Sequence, residues 1–143
     1  MKIAISSDHA GVEYKKAIVE FVQGLGFDIQ DLGPYNEDSV DYPDFAHKLA
    51  EKILQKQADL GIILCGTGNG VAMAANKHQG IRAGLCWNKE IASLIRQHND
   101  ANILALPARF VSVEEAKEIV KAYLETPFEG GRHQRRVDKI ACI

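Results

Sequence analysis

Reactive residue types crowd one short stretch, Cys65-Gly66-Thr67-Gly68-Asn69-Gly70. Glycines at alternate positions let successive backbone N–H groups face one concavity, which can hold a phosphate or a developing oxyanion. Cys65 enters this loop from an apolar run. A thiol beside oriented N–H groups is favoured as thiolate, a usable base or nucleophile. Thr67 adds a hydroxyl. The stretch is not a P-loop, because no Lys-Ser/Thr follows it. It is not the dinucleotide fingerprint either, because Val71 stands where a glycine would be needed. A ligand-free tight turn and a buried structural cysteine fit the same spacing. Cys86 and Cys142 lack comparable company and read as structural.

A second cluster is His98-Asn99-Asp100. His98 closes a helical pattern with Ile91, Leu94 and Ile95 on its apolar face. It could serve as an acid/base or simply sit favourably at the negative end of that helix. No metal site is expected, because His9, His47, His78, His98 and His133 show no ligand pairing at helical or finger spacing. The third cluster is the tail, where Arg132, Arg135 and Arg136 supply three of the six arginines. On a helix Arg132 and Arg136 share a face. Like charges there repel unless an anion lies between them, and arginine reads phosphate bidentately. A solvated basic tail is the other reading.

The elements that must position these groups alternate. Ile3-Ala4-Ile5 opens as a buried strand. Tyr14, Ala17, Ile18, Phe21, Val22 and Leu25 then mark one face of a helix, ended by Gly24 and Gly26. Phe27 to Leu32 reads as a strand, and Pro43 starts a helix with Phe45, Leu49, Ala50, Ile53 and Leu54 inward. Leu60 to Cys65 is a continuous apolar run of the kind a parallel sheet needs. A helix over Val71 to Asn76 follows, then a strand over Ile81 to Cys86. Asn88 caps a helix to His98, and Asn102 to Leu106 is a fifth strand. Ser112 and Glu115 form a capping box before a helix facing inward with Val113, Ala116, Ile119, Val120, Tyr123 and Leu124. A short helix is expected in the basic tail from Glu129.

This alternation predicts an α/β fold, a doubly wound five-stranded parallel sheet with helices on both faces. Ligands in such folds bind beyond the carboxyl ends of the strands. Functional residues are therefore sought after each strand, at Ser7-Asp8-His9, at the glycine loop, at Cys86-Trp87-Asn88 and at Leu106-Pro107-Ala108-Arg109.

Composition bounds the rest. The chain has 143 residues, which predicts one domain spanning 1–143. Seventeen basic against nineteen acidic residues leave a net charge of −2, which argues against a nucleic-acid partner. The longest apolar stretch is far too short to cross a bilayer, so no membrane partner is expected. The N-terminal apolar run stops too early for a secretory signal. Three cysteines without metal spacing point to a reducing compartment, and the cytoplasm is expected.

Six motifs carry a resemblance. Ser7-Asp8-His9-Ala10-Gly11, Asp41-Tyr42-Pro43, the Cys65–Gly70 loop, Ala74-Ala75-Asn76-Lys77, Arg96-Gln97-His98-Asn99-Asp100-Ala101-Asn102 and Glu129-Gly130-Gly131-Arg132-His133 together resemble type B ribose-5-phosphate isomerases. Related isomerases of galactose 6-phosphate share the fold. The resemblance spans essentially the whole chain. It implies a Rossmann- or flavodoxin-like three-layer sandwich and interconversion of D-ribose 5-phosphate and D-ribulose 5-phosphate through a cis-enediolate. It implies no cofactor and no metal. By the same analogy Cys65 is the base, Thr67 assists proton movement between oxygens, and His98 opens the sugar ring with Asp8 nearby. The N–H groups around Gly66, Gly68, Asn69 and Gly70 would hold the enediolate oxygen. Tyr42 and Asn99 would contact hydroxyls, and His9, Arg109, Arg132 and Arg136 the phosphate. One branch of the family has a glutamate just after the loop and lacks the cysteine. Val71 and Cys65 place this chain with the cysteine branch. The family site lies between two chains, which implies a homodimer, with pairing into a tetramer left open. A hexose 6-phosphate isomerase of the same family, or a non-catalytic flavodoxin-like nucleotide-binding module, are the alternatives.

Overall fold

In the computed structural model, residues 1–142 are described. The elements run β1 (Lys2–Ser7), a short 3-10 turn (His9–Gly11), α1 (Val12–Gly24), β2 (Asp28–Asp31), α2 (Tyr42–Leu54), β3 (Leu60–Cys65), α3 (Asn69–Ala75), β4 (Ala83–Leu85), α4 (Lys89–Asn99), β5 (Ile103–Pro107), α5 (Val113–Glu125) and α6 (Arg132–Asp138). The five strands form one sheet in the order β2-β1-β3-β5-β4. Every pairing is parallel. This is the expected three-layer, flavodoxin-like architecture.

Strand side chains alternate between two cores, as the period of two requires. Ile3, Ile5, Ile62, Leu64, Leu104 and Leu106 face α1 and α5 through Ile18, Val22, Ile119 and Tyr123. Ala4, Ile63, Cys65, Ile103 and Ala105 face α2 and α3 through Leu49, Ala50, Ile53, Val71 and Ala75. Both faces of the central strands are dry, which is why β3 reads as an unbroken apolar run. Each fully buried Ile or Leu contributes about 1.5–3 kcal/mol relative to exposure. One buried charge needs a partner: Lys15 of α1 is 1% exposed, and its Nζ meets both carboxylate oxygens of Asp31 on β2 at 2.6 and 2.7 Å.

Predicted caps and actual caps agree. Asn88 accepts the Ile91 N–H at 2.9 Å. The Ser112–Glu115 box closes in both directions, at 3.0 and 3.1 Å. Three departures from the expected elements have a clear physical cause. α3 starts at Asn69 rather than Val71, because Gly68 adopts φ +77 and turns the chain directly into the helix. β4 is three residues long, not six. Its outer side is taken by a side chain: Asn76 donates to the Ala83 carbonyl at 2.9 Å and accepts its N–H at 2.7 Å. The 3-10 turn after β1 was not expected. The Asp8 carboxylate induces it by accepting the N–H groups of Ala10 and Gly11 at 2.9 and 3.2 Å. Among the described residues, no helix is long and apolar enough to cross a membrane.

Candidate active site

β1 and β3 are neighbours whose following helices, α1 and α3, lie on opposite faces. The crevice beyond their carboxyl ends is the switch point where doubly wound folds bind ligands. The Asp8 N–H donates to the Leu64 carbonyl at 3.0 Å and holds the two strand ends together. Cys65 ends β3 there and is 6% exposed. Its Sγ accepts the Gly68 N–H at 3.1 Å. Such a bond requires the loop to curl back over the sulfur, and the left-handed Gly68 does this at no steric cost. A side chain at Gly68 would also collide with Leu85. Cys86 is fully buried and has no such donors; burial pushes its thiol up to about 12, so it stays protonated.

The other loop residues gather around Cys65. Thr67 Oγ1 accepts the Asn69 N–H at 3.2 Å. The Arg109 N–H donates to the Gly66 carbonyl at 3.0 Å, and a side chain at Gly66 would meet the Arg109 stem at 3.2 Å. Tyr42 opens α2 and lays its ring on Gly70, where a Cβ would sit only 2.5 Å from the ring edge. His9 Nδ1 accepts the Val40 N–H at 3.2 Å. That bond leaves Nε2 as the donor of the neutral ring, the tautomer suited to an anion. Asp8 spends one carboxylate oxygen on the 3-10 turn, which leaves the other for chemistry.

His98 and Asn99 lie elsewhere. α4 starts after β4 at the carboxyl edge and runs back antiparallel to the strands. Its eleven residues span about 16 Å. At its end the Asn99 and Asp100 carbonyls accept from Arg82 Nε, both at 3.1 Å, and Arg82 precedes β4 at the amino edge. Asp100 adopts φ +47. It is clamped by Arg96 on its carboxylate at 2.9 Å and by Arg82 on its carbonyl at 2.8 Å. The tail docks at the same edge, where the Glu129 N–H meets the Gln97 carbonyl at 3.1 Å. Arg132 and Arg136 follow on α6, and both are exposed. The structure thus brings Asp8, His9, Tyr42, Cys65, Thr67, the glycines, Asn69 and Arg109 to one end of the sheet. It places His98, Asn99, Arg132 and Arg136 at the other.

Two residues escaped the sequence reading. The rings of His98 and His133 stack at 4.4 Å with a 14° tilt. Glu129 Oε2 lies 3.5 Å from His133 Nε2. The Glu129-to-His133 spacing of four was the available signal, and pairing histidines only with histidines overlooked it.

Residues 3–140 match the model of the Ribose/Galactose Isomerase family. The chain belongs to the ribose/galactose isomerase family. Among curated members of that family, a probable ribose-5-phosphate isomerase B of Mycoplasma genitalium is 50% identical over 140 residues, covering 96% of this chain and 92% of that protein. The ribose-5-phosphate isomerase B of Escherichia coli is 44% identical over 142 residues, covering 99% and 95%. Solved members of the ribose/galactose isomerase family superpose closely. The ribose 5-phosphate isomerase of Thermotoga maritima gives a TM-score of 0.97 at 51% identity, covering 99% of this chain and 98% of that one. The Mycoplasma genitalium enzyme with bound ribulose-5-phosphate gives 0.93 at 50%, covering 97% and 93%. This member of the ribose/galactose isomerase family keeps a cysteine before the glycine loop and Val71 after it.

Proposed function

We propose that the chain is an aldose–ketose isomerase that interconverts D-ribose 5-phosphate and D-ribulose 5-phosphate, with Cys65 as base. One observation carries this reading. Cys65 Sγ sits buried at the switch point under the Gly68 N–H, in a fold that superposes on a relative holding ribulose-5-phosphate.

The geometry supports the following chemistry. A proton beside an aldehyde is only weakly acidic, so the anion must be stabilised as it forms. The Cys65 thiolate takes the C2 proton, and the electron pair moves onto O1 to give the cis-enediolate. The N–H groups of the Gly66–Gly70 loop hold the developing oxyanion, which contributes a few kcal/mol, about 3, per donor. Thr67 passes the hydroxyl proton from O2 to O1. The thiol then returns its proton to C1, so the overall change is neutral. A positioned base adds about 10²–10⁴-fold. Ring opening comes first: His98 protonates the ring oxygen, and the free oxygen of Asp8 takes the anomeric hydroxyl proton. His9, Arg109, Arg132 and Arg136 bind the phosphate, while Tyr42 and Asn99 meet the hydroxyls. These remote contacts hold the open chain in register.

His98 and Cys65 belong to opposite ends of one sheet, so a second copy must complete each site. A two-fold dimer does this twice, with the amino edge of each protomer against the carboxyl edge of its partner. We read residues 1–143 as one isomerase domain of such a homodimer. The free thiols Cys65, Cys86 and Cys142 fit a reducing compartment, and we place the protein in the cytoplasm.

The test is an isomerase assay with ribose 5-phosphate, allose 6-phosphate and galactose 6-phosphate side by side, with and without prior thiol alkylation. Turnover highest on the pentose and abolished by alkylation supports the reading. Preference for a hexose phosphate would reassign the substrate, and alkylation-resistant turnover would remove Cys65 as base.

A further inference from the structure

We propose that His98, Glu129 and His133 form a site for a divalent transition-metal ion of the zinc class, and that filling it blocks the isomerase. The metal site stands on geometry alone; only the blocking rests on the isomerase reading. The ligand atoms of these three residues all lie within 4.8 Å of one another. Ligands on one zinc ion stand about 3.3 Å apart, given bonds near 2.0–2.1 Å, so closure takes movements of about an ångström. The imidazoles are nearly parallel and must turn toward the ion. Glu129 is exposed and both histidines are half-buried, so turning sacrifices little packing.

The cluster is held together by backbone. The Glu129 N–H is bonded to Gln97, the residue before His98. Gly130 and Gly131, at φ +67 and +55, then reverse the chain so that His133 comes back beside Glu129. Two imidazoles and one carboxylate are the donors of an open zinc site, with a fourth position left for water or an anion. Magnesium and calcium prefer all-oxygen sites and are poor candidates. Arg132, Arg135 and Arg136 on α6 oppose a cation, so the ion should be removable by a chelator. A bound ion occupies the His98 nitrogen that must carry the proton delivered in ring opening.

The experiment titrates the full-length chain with Zn²⁺ by calorimetry and with Co²⁺ by absorption, for wild type, Glu129→Gln, His133→Gln and Cys142→Ser. Circular dichroism checks that each variant folds. The expected result is saturable binding of one ion per chain, weakened at least tenfold in Glu129→Gln and in His133→Gln and unchanged in Cys142→Ser. The Co²⁺ spectrum should lack a thiolate charge-transfer band. Saturable binding that ignores both Glu129→Gln and His133→Gln, a thiolate band, or no binding overturns the site whatever the isomerase assay shows. Zinc inhibition of sugar-phosphate turnover, reversed by EDTA and lost in the two weakened variants, supports the blocking. Full turnover at saturating zinc overturns it.

Discussion

The two ends of this sheet are built differently. At the carboxyl edge the proposed base is a short side chain, nearly buried, and its hydrogen-bond donor is main chain. The loop is pinned by the Ala108 N–H on the Cys65 carbonyl at 2.9 Å and the Arg109 N–H on the Gly66 carbonyl at 3.0 Å. At the amino edge the proposed groups are long or half-exposed side chains on α4 and α6, where the Arg96–Asp100 ion pair at 2.9 Å holds the end of α4. The difference fits the two chemical tasks we propose for these ends. Proton abstraction from carbon needs fixed donors in a dry setting, where a few tenths of an ångström matter. Gripping a phosphate needs reach and charge. Exposed pairs are worth little in water, and in the proposed dimer the partner's surface would cover the arginines of α6 and strengthen their grip.

Removing the base tests the buried end most severely. Cys65→Ala should lower kcat by about 10²–10⁴-fold, with little change in the affinity for sugar phosphate measured by calorimetry. Near-normal turnover would mean that the rigid end does not hold the base. The division between ends is broken more directly by mixing. Cys65→Ala and His98→Asn homodimers are each expected to be nearly inactive. After they are unfolded and refolded together, half the dimers carry one intact site, so activity should return to about a quarter of wild type. No recovery in a sample shown to contain mixed dimers would place both residues in one protomer's site. At the reaching end, Arg132→Ala or Arg136→Ala should raise KM about ten- to a hundredfold, the equivalent of one charge-assisted bond, with kcat less affected.

The smallest effect is a control placed away from both ends. Ser112→Ala removes the α5 cap and should cost about 1 kcal/mol in a denaturation midpoint while leaving kcat and KM alone. Backbone and side-chain hydrogen bonds from Ser112 lower the Glu115 pKa below its ordinary value. A lowered folded-state pKa gives stability that is present above the unfolded value and fades as pH falls through the folded one. The stability difference between wild type and Glu115→Gln should therefore shrink in acid.

Much of this was legible in the residues. β3 announces itself because both of its faces are covered, and the faces of α1, α2 and α5 follow the helical period, except that Leu54 at the end of α2 is exposed. The Ser112 box and the Asn88 cap are local chemistry and need no tertiary knowledge. β4 was overlong because Ile81 and Cys86 are apolar for reasons of burial, while the ladder with β5 covers only Ala83 to Leu85 and the open side of β4 is taken by the Asn76 side chain. That contact joins residues seven apart and leaves no periodic trace. The glycine loop was visible as a concavity, but Tyr42 over Gly70 and His9 under Val40 depend on tertiary packing. The largest blind spot was direction. Sequence places His98 at the end of an amphipathic helix, yet only the strand order shows that this helix returns to the far end of the sheet. The Glu129–His133 pair was hidden for a simpler reason, because two glycines between them mask the spacing as a turn.

The strand order has one more consequence. The sheet ends in β2 and β4, which are four and three residues long. β2 carries Asp28 and Asp31, and Asn76 occupies the open side of β4 as a one-residue mock strand. Short, acidic or plugged borders discourage the addition of another strand. Ribbon-like growth and edge-to-edge aggregation of this chain are thereby disfavoured.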